Sequence, residues 1–412
     1  MISYHKGWYR LTVFLFLLAA LLGTLLRFAF VVEVPGLHYK NALLSHTHLA
    51  LLGWVHLTLL NFCLHYFSAE QSTNLRHRQL FVAILITTIL LAVLLFVRGL
   101  DVWASPFFVI YVILNVVISV SLFRSFSNDI YRSFSGQLLS TGLLFFLLSF
   151  GGTVVLVSMV TLSAPKTMAY YLASQFFLHF QVNGWFTFGL FALFFKYLES
   201  HGISFNPQKQ RQFIFLLALS TLLTFALSVA WSNPNMYIFA INSAAVIIQV
   251  LAVILILLMM KDKQGAIQSS FGKGIFRLVQ FFFFCYVGKV VIQALVSIPY
   301  LAEIAYTIRN YIIGFLHLIL IGFVSIGLIT FHALQRGPFV QQKLFKIAIS
   351  ILLASFVTTE LLLIVQGTMF WMAKGFLPYY YELLFVSSLL LPLSIFLYWL
   401  SLIRNPVYNI KN

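Results

Sequence analysis

Twelve runs of roughly twenty apolar residues, separated by short polar joints, leave this sequence few architectures to choose from. In hydrocarbon every backbone N–H and C=O must find its partner within the segment, so runs of this length fold as helices. Spans are predicted at 11–32, 42–66, 79–97, 103–123, 137–162, 170–197, 211–231, 237–260, 275–297, 306–333, 343–366 and 379–401. The first run is too long for a cleaved leader and lacks a small-residue cleavage site. Only 8% of the 412 residues are charged, whereas a soluble domain needs about a quarter to cover its surface in water. The expected fold class is all-α: a polytopic membrane protein of about twelve transmembrane helices forming a single transmembrane domain over residues 1–412.

The charge supports this reading. The net charge of +16 is not gathered on a solvated surface of the kind that binds nucleic acid, since nearly all of the 25 Lys and Arg lie in the short joints. Arg27 and Lys289 fall inside spans. Lys40, Arg98, Lys166, Arg309 and Lys374 occupy alternate joints on one side, and the remaining eighteen occupy the other. Cytoplasmic loops carry the excess of basic residues, so both termini are expected in the cytoplasm. An inner (plasma) membrane is the expected location, with lipid as the main surroundings. Cys63 and Cys285 both lie in apolar runs and read as small apolar residues, with no metal-binding pair.

Three segments of the chain resemble one another. His48-Leu-Ala-Leu-Leu-Gly53-Trp54 lies in the second span, His179-Phe-Gln-Val-Asn183-Gly184-Trp185 in the sixth and His317-Leu-Ile-Leu-Ile-Gly322-Phe323 in the tenth. The histidines are 131 and 138 residues apart, and four spans fit each interval. The chain therefore reads as three four-helix repeats, roughly 1–133, 134–265 and 266–412. The histidines lie six, nine and eleven residues, ~9–17 Å, from the outer ends of their spans. Ionisable side chains inside a membrane are costly and mark functional sites by default. Imidazole suits iron, copper and zinc, and aromatic-rich surroundings with axial histidines suit haem. A glycine five residues after each histidine would let a macrocycle or a helix come close.

On these segments the chain resembles the catalytic-subunit superfamily of haem–copper oxidases and nitric oxide reductases, which has twelve spans in three arcs of four. His46-Thr47-His48-Leu49 is similar to the motif that opens the second span with a low-spin haem ligand. His179-Phe-Gln-Val-Asn183-Gly184 resembles the reductase-type motif whose histidine binds the non-haem metal, and His317 takes the place of the tenth-span haem ligands. The early H-x-H is also similar to that of the NnrS family of haem- and copper-containing membrane proteins. The resemblance implies a b-type haem, with copper at His179, and a small cytochrome or another membrane subunit as partner. His46, His48, His179 and His317 are the candidate ligands. Residues two apart point about 200° from each other on a helix, so His46 and His48 cannot both ligate one iron. The family motif favours His46 and the internal repeat favours His48.

The departures bear on function. The seventh span, Arg211 to Trp231, has no histidine where the family carries a pair. Phe315 and Ile319 flank His317 where the family has a second histidine, and Asn183 replaces a glutamate. The implied function is that of a haem protein with an incomplete non-haem metal site, acting in electron transfer, nitric oxide handling or haem and copper sensing, with oxygen reduction not expected. The alternative is a cofactor-free transporter or channel whose histidines line a proton or metal path. His56 and His65 read as polar contacts and His332 as snorkelling to the interface. His5, His38, His77 and His201 read as joint residues without a role. Glu360 and Lys289 read as a proton relay or an ion pair, and Arg98, Asp101 and Trp103 as an outer-loop group able to meet haem propionates. The charge sorting gives a direct test: a reporter fused after Asn412 should be cytoplasmic and one inserted near Lys166 external, and finding both on one side would overturn the span count.

Overall fold

The computed structural model describes residues 2–68, 73–162, 167–230, 235–336 and 342–404. Lys166, Trp231 and Lys411 lie outside the described residues. Among those described there is no strand, and twelve helices are long and apolar enough to cross a membrane. They run Gly7–Phe28, Tyr39–Phe67, Leu75–Arg98, Ser105–Arg124, Phe134–Thr161, Met168–Ser200, Pro207–Ala230, Met236–Asp262, Gln264–Leu295, Arg309–Arg336, Lys343–Trp371 and Tyr380–Arg404. The chain is thus an all-α, multi-pass membrane protein.

Helix starts follow local chemistry. Ser133 accepts a hydrogen bond from the N–H of Gly136 at the head of the fifth span, and Asn235 accepts one from Tyr237 at the head of the eighth. Asn206 caps the seventh through Gln208 and Lys209, with Pro207 at the first helical position, where no N–H is missed. The ninth helix begins eleven residues before the predicted 275 because two helices join at Gly272, whose φ of 69° is left-handed. His77 lies within a helix, not a joint; it is buried, with Nε2 3.0 Å from the Ser121 hydroxyl.

The chain divides into two compact units. One comprises Met1–Asn61, Leu85–Leu100 and Ile308–Asn412; the other comprises Phe62–Ile84 and Asp101–Thr307. In the first unit the twelfth span packs against the first and the eleventh, and the first against the second. Tyr9 and Tyr398 share a hydrogen bond of 2.7 Å there. His332 does not snorkel as expected. It is 3% exposed, stacks on Tyr9 at 3.9 Å and lies 3.1 Å from the Tyr398 hydroxyl, because two aromatic partners hold it inside. In the second unit the fifth span packs on the sixth and the seventh on the eighth.

The three repeat-bearing spans are the most enclosed. In the second, sixth and tenth spans 83%, 78% and 61% of the apolar window is buried, against 50% or less in the nine others. Close helix approach is part of the reason: a Cβ on Gly184 would collide with Phe145, whereas one on Gly53 would meet only Leu49 and Leu15 side-chain atoms at 3.4–3.5 Å. Gly184→Leu should therefore lower the thermal midpoint of the detergent-solubilised protein by an amount equivalent to about 1–3 kcal/mol. Gly53→Ala should leave the same melting curve nearly unchanged.

Candidate functional site

The H-x4-G segments share a backbone that their sequence did not announce. In the second span the α-helix gives way to π-helix over Leu49–His56, in the sixth over Phe180–Phe186 and in the tenth over Leu318–Ser325. The residue before each π segment is the repeat histidine: His48, His179 or His317. π-Helices are rare, usually single turns, and concentrate at functional sites. Wider turns here leave hydroxyls bonding five residues back, Thr187 to the Val182 carbonyl and Ser325 to that of Leu320.

Each repeat histidine faces the span that follows its own. His48 Nε2 lies 3.0 Å from the Thr88 carbonyl on the third span, and His179 Nε2 lies 2.8 Å from the Thr221 carbonyl on the seventh. A carbonyl only accepts, so in both rings Nε2 carries the proton and donates. The Nδ1 of His179 in turn lies 3.2 Å from the Asn183 side-chain amide, which donates to it. Both nitrogens of His179 are thereby engaged, leaving no lone pair for the copper expected at this position. His317 is the exception. Its neighbour on the eleventh span is the Glu360 carboxylate, with Nδ1 3.7 Å from Oε1.

His46 differs from His48 in a way that decides which of the two is available. Its ring reaches back to the first span, where Nδ1 lies 2.8 Å from the Ala19 carbonyl. Here Nδ1 carries the proton, so Nε2 keeps its lone pair. This is the arrangement in which a carbonyl fixes the tautomer and orientation of a metal-ligating imidazole. Gly23 makes room for it: a Cβ there would stand 2.8 Å from His46 Cε1. Whereas His48 and His179 are buried, His46 and His317 remain partly accessible, His317 with 29% of its side chain. Because His317 Nδ1 is itself buried, the accessible part of that ring lies elsewhere.

Arg27 lies near enough to His46, His317 and Glu360 for its charge to act on each, and His46 near enough to His317. Arg27 also lines a cavity of about 150 Å³, where the first span ends and the second, tenth and twelfth begin. Arg309, Tyr39, Phe376, Tyr380 and Asn310 complete much of its wall, which includes no carboxylate; Asn310 donates to the Tyr380 hydroxyl at 2.7 Å. The first unit thus brings two imidazoles, a carboxylate and two guanidiniums to one end.

The remaining candidates have other surroundings. Lys289, in the second unit, is 1% exposed with its ammonium 5.6 Å from the Tyr286 ring centre, while Glu360 has Arg27 and His317 for company. Asp101 accepts from the N–H groups of Trp103 and Ala104, at the start of the helix from Ser105. His56 is fully buried at the end of its π segment. Among the described residues there is no group of three or more His, Cys, Asp or Glu able to hold a metal ion. No family model and no curated protein sequence matches the chain. Gly23 and Ala19 had no sequence signal, because what matters is the neighbour each faces.

The two buried histidines should act structurally. His179→Ala would leave the Asn183 amide without its partner, at a cost of about 1–3 kcal/mol. A lower thermal midpoint is expected for that variant, and a melting curve identical to the wild type would contradict the hydrogen-bonding assignment.

Proposed function

We propose that the protein is a haem-binding membrane protein in which His46 and His317 would hold a b-type haem. The observation that carries this reading is the tautomer of His46. Its Nδ1–H is committed to Ala19, and its Nε2 lone pair is free on a partly accessible face. His317 supports it as a second imidazole within electrostatic reach, with part of its ring accessible. Arg27 and Arg309 supply cationic groups of the kind that haem propionates take, in a cavity edged by aromatic side chains. A haem with two axial imidazoles supplies one-electron transfer. His46 and His317 would hold it, Ala19 would orient His46, and Gly23 would let the ring lie against the first span. The proposed setting is the inner membrane with both termini cytoplasmic, where a small cytochrome or a further membrane subunit exchanges electrons with the chain.

The test is an optical spectrum of the detergent-purified protein together with its haem-to-protein ratio. A Soret band that shifts on dithionite reduction is expected. His46→Ala and His317→Ala should each lose most of the haem, while His48→Ala should keep it. A colourless wild-type preparation would overturn the haem reading and leave the cofactor-free transporter, whose best support is the buried Lys289 of the second unit.

A further inference from the structure

Two guanidiniums face the cavity of the first unit with no counter-charge in its wall. Arg27 stands at the end of the first span and Arg309 at the start of the tenth, and Arg309 acts on Arg27 as a like charge. Among the described residues neither guanidinium joins an ion pair, and Glu360 acts on Arg27 only from beyond ion-pair distance. Like charges held together are unfavourable, and an anion between them would offset that repulsion. The rest of the wall is preformed. Asn310 donates to the Tyr380 hydroxyl at 2.7 Å, so that hydroxyl keeps its own proton to give. Phe30 stacks on Tyr381 at 5.3 Å, and Phe376 packs against the same ring at 5.6 Å. Phe376 is fixed in turn by the buried Gln366, whose Nε2 donates to the Gly375 carbonyl at 3.0 Å and whose Oε1 accepts the Leu377 N–H at 2.8 Å. Ala373 and Tyr379, at the two ends of this loop, hold left-handed φ of 54° and 56°. Such strain persists only where the surroundings impose it.

We propose that this cavity binds a small arene carboxylate, with the carboxylate on Arg27 and Arg309 and the ring among Phe30, Phe376 and Tyr381. A guanidinium presents its donors in a planar fork that matches the two oxygens of a carboxylate. The Tyr380 hydroxyl is a further donor beside them. An apolar protein cavity of about 150 Å³ takes up benzene. The one here has about 150 Å³, so a single ring with its carboxylate is the scale of ligand it suits. Neither His46 nor His317 lines the cavity, so the inference goes beyond the haem reading and needs no iron. That reading draws propionate contacts from the same guanidiniums, and the experiment separates the two kinds of carboxylate.

The probe is benzoate, titrated calorimetrically into the detergent-purified protein, with the haem-to-protein ratio measured before and after. Benzoate should bind once per chain while that ratio stays constant. Benzyl alcohol keeps a ring without the charge and acetate keeps the charge without a ring, and each should bind at least about tenfold more weakly. Arg309 is exposed, so Arg309→Gln should fold as the wild type does. It should weaken benzoate by at least about tenfold, the effect of losing one hydrogen bond to a charged group. No benzoate binding, equal binding of acetate, or an unchanged affinity in Arg309→Gln would each overturn the inference and leave the haem reading in place. Benzoate that binds only as haem leaves would make the cavity a propionate pocket and overturn the inference as well. A colourless preparation that binds benzoate would uphold the inference and sink the haem reading alone.

Discussion

A helix carbonyl has two lone pairs, and the α-helical ladder uses only one of them. In a chain with so few charges, that second lone pair is a recurrent polar attachment point between spans. Ser45 donates to Ala92, Thr24 to Ser388, Ser355 to Ser387 and Trp399 to Arg10, each a side chain on one span reaching a carbonyl on another. Three histidines follow the same pattern, with His46 on Ala19, His48 on Thr88 and His179 on Thr221. Hydrocarbon offers these donors nothing else, so satisfying them fixes how neighbouring helices are rotated. Packing supplies contact area, and the carbonyl bonds choose among rotations that packing alone would leave nearly equal.

The same rule sorts the histidines chemically. A buried ring that gives Nε2–H to a carbonyl keeps only its inner Nδ1 lone pair, while one that gives Nδ1–H keeps its outward nitrogen. His48 and His46, two residues apart, fall on opposite sides of that division because they face the third and first spans respectively. At the third of these segments the backbone partner is replaced by Glu360, whose Oε1 lies 3.7 Å from His317 Nδ1.

Much of this was readable in the residues. Span number followed from hydropathy because a membrane helix has to be long and apolar, and the repeat emerged because histidine, glycine and an aromatic recur at fixed spacing. The opposed directions of His46 and His48 also followed from helix geometry. Which of the two stays available did not, since it depends on the backbone carbonyls of Ala19 and Thr88, which any residue type would supply. His332 was misread for a related reason: Tyr9 and Tyr398 lie 389 positions apart and meet only in the fold. Nor did the glycines behave uniformly. Gly184 admits Phe145, and Gly23, outside the motif altogether, is the one that faces an imidazole.

The π segments carry a further consequence for anyone placing residues on a helical wheel. An α-helix advances about 100° per residue, but a bond to the fifth residue back winds the chain more slowly. Across Leu49–His56, Phe180–Phe186 and Leu318–Ser325 the angular phase falls progressively behind the wheel. Side chains beyond each segment, among them Asn61, Tyr197 and His332, emerge on faces that a uniform wheel assigns to their neighbours. Residues before the segments keep their phase, so each of these spans is in effect two amphipathic helices on one axis, joined out of register.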